Sequence, residues 1–190
     1  MLIDSSKGIV RFKVVYHGIA LSGKTTNIEQ LARSSGLDVL SFDTKEERTL
    51  VFDFITKKES LDGFTITFSI YTVPGQDIYR DIRKMVMRGA DGVVFVVDSS
   101  ERRLSENKEF IRVLEEDLRL YGKDLESTPI VIQYNKRDLP DALPLEVLRR
   151  EVYIPGKRTV EAVAVQGKGV EETFDLIREE LLEKFRKMVG

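Results

Sequence analysis

Cysteine is absent from this chain of 190 residues, which removes disulfide frameworks, thiolate catalysis and cysteine-held zinc. A cytoplasmic setting is therefore expected. There is no basic excess either: 30 Lys and Arg stand against 32 Asp and Glu, a formal net charge of -2, so the cationic face that nucleic-acid binding draws on is not expected. Long apolar runs are missing from the opening Met1-Leu2-Ile3-Asp4-Ser5-Ser6-Lys7-Gly8, so neither a signal peptide nor a membrane-spanning helix is expected there. Position 2 is not glycine and the closing Arg186-Lys187-Met188-Val189-Gly190 holds no prenylatable cysteine, so no lipid anchor is expected. The chain has no internal repeat or low-complexity tract. Its length suits one domain over residues 1–190, and a monomer is expected.

What is present alternates between two periods. Ile9 to Tyr16 reads IVRFKVVY, a β-branched and aromatic run that stops at a glycine-containing loop and is predicted as the first strand. Thr25 to Ser35 follows, with Ile28, Leu31 and Ala32 at helical spacing and Gly36 as a stop. Asp38 to Arg48 is polar and acidic without a period, so a surface loop is expected, the first candidate switch. Thr49 to Thr56 and Phe64 to Thr72 are β-rich runs parted by a charged stretch with Gly63, read as an antiparallel hairpin. Val73-Pro74-Gly75-Gln76 is a turn, with weak helical character from Ile78 to Arg88. The basic residues of that region, Arg80, Arg83, Lys84 and Arg88, are expected on a solvated helix face.

Gly92 to Val97 reads GVVFVV, a continuous apolar run expected of a central strand buried on both faces and closed by Asp98. An amphipathic helix is predicted over Leu104 to Tyr121 from Phe110, Ile111, Leu114, Leu118 and Tyr121. Pro129 to Tyr134 is a further buried strand, Glu146 to Glu151 a short helix, and Thr159 to Val165 the last strand. Val170 to Val189 closes the chain as a helix with Phe174, Ile177, Leu181 and Phe185 on one face. This alternation implies an α/β fold of three layers: a mostly parallel six-stranded sheet with one antiparallel edge strand and helices on both faces. Ligands bind such sheets at the carboxyl ends of the strands.

Two motifs fall there. Gly18-Ile19-Ala20-Leu21-Ser22-Gly23-Lys24-Thr25 matches G-x-x-x-x-G-K-[ST] between a strand and a helix, the context its mechanism requires. Its amides and the helix N-terminus form an anion cradle, Lys24 reaches the β- and γ-phosphates, and the Thr25 hydroxyl suits magnesium. Gly18, Ala20, Leu21, Ser22, Gly23, Lys24, Thr25 and Thr26 are the candidate phosphate-side residues. A glycine turn with a chance lysine is the bland alternative, and the strand and helix around the loop disfavour it. Asn135-Lys136-Arg137-Asp138 matches N-K-x-D at the end of a strand. An Asp carboxylate accepts from both the N1–H and the exocyclic amine of guanine, a donor pair adenine lacks. Asp138 thus separates GTP from ATP, Asn135 braces the site, and the Lys136 stem covers the base plane.

In order, spacing and content these motifs resemble the Ras-like small GTPases, a P-loop NTPase class, over nearly the whole chain. Glu46 to Phe54 (EERTLVFDF), Tyr71 to Gln76 (YTVPGQ), Asn135 to Pro144 (NKRDLPDALP) and Glu161 to Ala164 (EAVA) narrow the likeness to the bacterial polarity and gliding-motility branch. The resemblance implies that GTP or GDP is bound with Mg²⁺ held by Thr25 and Thr49, and that Thr49 and Gly75 sense the γ-phosphate. It further implies that Gln76 orients the attacking water, that Ala164 presents its N–H to the guanine oxygen, and that Arg48 serves as an arginine finger in cis. Without the resemblance, Arg48 is a solvated arginine beside Glu46 and Glu47. Thr72 stands where many of the family carry the aspartate of D-x-x-G, and Ala20 where many carry glycine, its methyl crowding the γ-phosphate and any arginine supplied by a partner. The implied partners are a roadblock-fold activating protein and polarity or motility effectors, and the implied location is the cytoplasm with recruitment to a cell pole in the GTP form.

The leading reading is a switch that hydrolyses GTP slowly and reshapes its two switch segments when the γ-phosphate leaves. A GTP-binding scaffold with negligible hydrolysis is the alternative, favoured by Thr72 and opposed by Gln76 and Arg48. An ATP-using kinase is disfavoured by N-K-x-D. His17, the single histidine, is expected to pack at a strand end, because phosphoryl transfer rests on positioning and electrostatics rather than a histidine base.

Overall fold

A computed structural model describes residues 1–44, 49–61 and 63–189, and the side chains of 41–44 and 49–54 lie outside that description. The elements run β1 (Leu2–Asp4), β2 (Ile9–His17), α1 (Lys24–Ser35), β3 (Leu40–Thr44), β4 (Thr49–Leu61), β5 (Phe64–Thr72), α2 (Arg80–Met87), β6 (Gly92–Asp98), α3 (Leu104–Arg119), β7 (Ile130–Asn135), α4 (Leu145–Glu151), β8 (Arg158–Glu161) and α5 (Val170–Val189). Short 3₁₀ turns at Asp77–Tyr79, Glu101–Arg103 and Ala164–Gln166 sit at carboxyl ends of the sheet.

Alternation along each central strand decides the layers. In β2, Val10, Phe12, Val14 and Tyr16 point to one core and Val15 to the other; in β6, Val94 and Val96 face one side and Val93, Phe95 and Val97 the other. The first core takes Ile28 and Leu31 of α1 with Phe174, Ile177, Leu181 and Phe185 of α5. Across the sheet, Val86 and Met87 of α2, Phe110, Leu114 and Leu118 of α3 and Leu148 of α4 close the second. Both faces of β6 and β7 are therefore buried, as the unbroken apolar run of β6 requires.

The sheet order is β3-β4-β5-β2-β6-β7-β8, with β1 paired to β2 beside that path. Parallel pairing joins β5, β2, β6, β7 and β8 in turn, while β4 runs antiparallel to β3 and to β5. The expected three-layer fold is present with two more strands than the six read from sequence. One is β1, antiparallel to the first residues of β2 before β6 takes up pairing at Val14. The other is β3, which corrects the loop expected from Asp38 onward. Leu40 and Phe42 alternate with polar neighbours over too few residues to register as a period, and backbone pairing to β4 decides the matter. Arg48, with Glu46 and Glu47, lies outside the described residues.

The end of the last strand also moves. The last strand stops at Glu161 instead of running to Val165, because the chain turns to make the 3₁₀ turn that ends at Gly167, φ 72°. Helix α1 ends as its sequence indicates: Gly36 adopts φ 63° and Leu37 N–H returns to the Ala32 carbonyl at 2.9 Å.

Phe174 concentrates the packing of the first core, with its ring edge-on to Phe68 at 5.6 Å and Lys57 above it at 4.6 Å. Phe174→Ala is expected to lower unfolding free energy by about 3–5 kcal/mol, read as a fall in the urea midpoint with an unchanged slope.

Candidate nucleotide site

The strand β2 ends at His17 and hands the chain to a loop whose backbone is fixed by what surrounds it. Gly18 has φ 139°, and a Cβ there would stand 2.3 Å from the Val96 carbonyl of β6. Gly23 has φ 100°, and its Cβ would meet Asn135 Nδ2 at 2.3 Å. Both positions therefore demand glycine for space as well as for conformation. Leu21 also has positive φ, 63°, although its side chain is 81% exposed. Glycine at the residue before α1 means that no side chain caps the helix, so its first amides are left for the loop's anion.

Lys24, the first residue of α1, is buried, and its Nζ donates to the Gly18 carbonyl at 2.9 Å and the Ile19 carbonyl at 2.5 Å. Burial, then the charges of Arg103 and Arg83, push its pKa from 10.5 down to about 7. Ser22 Oγ is buried with no hydrogen-bond partner among the described residues. Glycines that open the cradle, a buried cation and an unpartnered hydroxyl fit a polyphosphate.

Asn135 closes the other side. Its Nδ2 donates to the Ser22 carbonyl at 2.8 Å, and its Oδ1 accepts the Ala164 N–H at 2.9 Å. One amide thus ties the phosphate loop to the loop after β8. The same bond places the Ala164 N–H, expected to meet the guanine oxygen, beside the Asn135 amide. Lys136 has φ 64°, and its Nζ is held by Asp98 at 2.8 Å. Burial opposes ionisation of Asp98, but Lys136 and the Ser100 amide and hydroxyl outweigh it and hold its pKa below the usual carboxylate value. Asp98 is therefore committed to Lys136 and Ser100. Asp138 is exposed at the mouth, while its neighbour Arg137 is pinned to Glu161 at 3.1 Å and to the Leu143 carbonyl at 2.7 Å.

The Pro-Gly-Gln turn packs against the phosphate loop. A Cβ on Gly75 would stand 2.2 Å from Ala20 N, so glycine lets the two backbones touch. Gln76 is exposed and its carbonyl accepts from Tyr79 N–H at 3.1 Å, which starts the turn into α2. Thr72 is buried at the end of β5. Thr49 opens β4 opposite Thr44.

Arg83 corrects the solvated-face reading of the basic residues in α2. It is 2% exposed, because it shares the inward face with Val86 and Met87 three and four positions on. Its Nε donates to Asp117 Oδ2 at 2.8 Å, and its guanidinium lies over Phe110 at 5.5 Å. The same carboxylate oxygen faces His17 Nε2 at 3.3 Å. Burial lowers the pKa of His17 against the opposing pull of Asp117, so the ring is neutral and Asp117 carries the charge. His17 packs as expected, between Phe95 and Phe110. Arg83 and Asp117 were missed because a buried cation on a polar-looking helix has no local signature; the 83, 86, 87 spacing was the available signal. Arg103 was missed too: it crosses from the turn before α3 to the Ala20 carbonyl, 2.9 Å away.

The model of the ADP-ribosylation factor family matches residues 3–187. The chain belongs to this family. Over 190 residues it is 38% identical to the mutual gliding-motility protein MglA of Myxococcus xanthus (strain DK1622), covering 97% of each chain. It is 29% identical to the Ras-related protein RABA4b of Arabidopsis thaliana over 178 residues, 93% of this chain and 75% of that protein. It is a small GTP-binding switch protein that binds guanine nucleotide and hydrolyses GTP, which sets aside the scaffold and kinase readings. Among the described residues no helix is long and apolar enough to cross a membrane.

The pKa of Lys24 gives this GTPase a pH dependence with a defined sign. In the free folded protein the ammonium is lost above about pH 7, whereas phosphate oxygens beside it raise the pKa, so binding takes up a proton. The Kd for GDP is expected to rise between about pH 7 and about pH 8.5, by at most about tenfold per pH unit. Lys24→Met should bind weakly with a Kd that is flat over the same range, as read by fluorescent GDP titration. The folded pKa also lies below the unfolded value, so this group's contribution to stability without nucleotide rises with pH from about 7 to about 10.5.

Proposed function

We propose that this GTPase is a partner-stimulated switch in cell polarity or gliding motility. The observation that carries the reading is its 38% identity to MglA across 97% of both chains. Its activating partner is a roadblock-fold protein of the MglB type, its effectors belong to polarity or motility machinery, and the GTP form is recruited from the cytoplasm to a cell pole.

The site residues divide the work. Gly18, Ala20, Leu21, Ser22, Gly23, Lys24, Thr25 and Thr26 hold the phosphates through amides, hydroxyls and one ammonium. Asp138 accepts the guanine N1–H and amine, Asn135 keeps the base loop against the phosphate loop, the Lys136 stem lies along the base, and Ala164 lines the base site. Gly75, already against Ala20, offers its N–H to the γ-phosphate. Oxygen donors at Thr25, the second residue of α1, and at Thr49 suit Mg²⁺, which takes few protein ligands and completes its shell with phosphate and water. When bound, the ion neutralises developing phosphate charge. Gln76 orients the attacking water, and Arg48 is the arginine that stabilises the transition state in cis.

GTP turnover by the purified chain, alone and with the roadblock partner, tests the proposal. Slow basal hydrolysis accelerated by about 10³–10⁵ is expected, with most of the acceleration lost in Arg48→Ala and Gln76→Leu. Acceleration that survives Arg48→Ala within about twofold removes the cis finger, and no response to the partner removes the stimulated switch.

Base readout is checked separately. Asp138→Ala is expected to erase the preference for GDP over ADP while the fold is kept; retained guanine selectivity would sink the assignment of Asp138.

A further inference from the structure

Arg103 is the last residue of the 3₁₀ turn before α3, remote in sequence from both nucleotide motifs. Its guanidinium nevertheless ends on the phosphate loop: Nη2 donates to the Ala20 carbonyl at 2.9 Å and pairs with Glu106 at 2.9 Å. The side chain is largely buried, and its Nε finds no partner among the described residues. Its backbone is held at both ends. Arg103 N–H donates to the Ser100 carbonyl at 3.0 Å, and its own carbonyl accepts from Asn107 Nδ2 at 2.9 Å. Ser100 is in turn fixed by Asp98, the carboxylate that holds Lys136.

The contact bears on the next residue. In a trans peptide the carbonyl and the following N–H point in opposite directions. A carbonyl of Ala20 held by Arg103 therefore turns the Leu21 N–H to the opposite side of that peptide. Leu21 sits at φ 63°, a conformation leucine adopts only when its surroundings impose it, and its exposed side chain supplies no packing to do so. Constraint has to come through the backbone, from Gly75 against Ala20 N on one side and Arg103 on the Ala20 oxygen on the other. A cation on that oxygen also polarises the peptide and strengthens its N–H as a donor.

We propose that Arg103 is a positioning residue of the phosphate site, binding the Ala20 carbonyl so that the Leu21 N–H faces the β- and γ-phosphates. The proposal rests on the guanine-nucleotide reading of the site. It differs from a transition-state arginine: Arg103 acts through a peptide group and works on GDP as well as GTP.

The test compares the parent with Arg103→Met, Arg103→Gln and Glu106→Ala, each loaded with GDP and checked for fold by circular dichroism. Release of fluorescent GDP and the ³¹P resonance of the β-phosphate are read. Arg103→Met is expected to speed release by about tenfold or more, as loss of a charged hydrogen bond implies, and to move the resonance. Arg103→Gln, which keeps a donor, should fall between it and the parent. Glu106→Ala should stay within about twofold of the parent, because it removes the ion pair and spares the carbonyl contact. Parent-like release and resonance in Arg103→Met overturn the proposal, as does an equal loss in Glu106→Ala. If Arg103→Met does not fold, Arg103→Gln decides: faster release with a moved resonance supports the role, and parent-like values end it. A parent that holds no GDP defeats the nucleotide reading itself, an outcome visible before any variant is compared.

Discussion

The side-chain amide of Asn135 is the contact on which the site depends. Its donor binds the phosphate loop at Ser22 and its acceptor binds the base-side loop at Ala164. It lies at the end of β7, so the ends of β2, β7 and β8 are brought into one body by a single planar group. The demand on Gly23 follows, since any Cβ there would occupy the place of the Asn135 amide nitrogen. An aspartate at 135 would lose the donor and a leucine both bonds, and neither would leave the loop held against the base-side segment.

Cations gather around the phosphate loop, and acids hold several of them in place. Lys24, Arg103 and Arg83 are close enough that the latter two help depress the pKa of the first. Asp117 is bound to Arg83, Asp98 to Lys136 and Glu106 to Arg103. Arg83 and Arg103 are thus paired with acids, while the Lys24 ammonium donates to the Gly18 and Ile19 carbonyls. Desolvating these ions is costly, and the buried Arg83–Asp117 pair is better understood as an anchor than as a source of stability. It fixes the inward face of α2 to α3 and, through His17, to the root of the phosphate loop. Gln76 and Ile78, just before α2, remain exposed. The segment that follows Pro74 is therefore fastened at Gly75 against Ala20 and at Arg83 on Asp117, with exposed side chains between.

Patterns with a local cause were legible before the fold was known. The apolar run of β6, the one-sided face of α5, the glycine after α1 and the two nucleotide motifs each satisfy a rule that operates within a few residues of the chain. The unforeseen features are non-local. Strand β3 exists because β4 lies beside it, and β1 because the start of β2 has an open edge before β6 joins. Arg83 is buried because Asp117 and the Phe110 ring meet it across a helix interface, although Arg80, Asp81 and Lys84 near it in sequence are charged.

By itself the sequence determined the class of fold and marked the loop and the tetrapeptide proposed to take phosphates and guanine, since glycine freedom, hydrophobic period and carboxylate hydrogen bonding are written residue by residue. Only the tertiary structure decided what holds those pieces in register: Asn135 on Ser22, Gly75 on Ala20, Arg103 on the Ala20 carbonyl and Asp117 between Arg83 and His17. Each of these joins groups far apart in the chain, and whether a polar side chain is a solvated surface group or a buried tether depends on which partner the packing brings within hydrogen-bond distance.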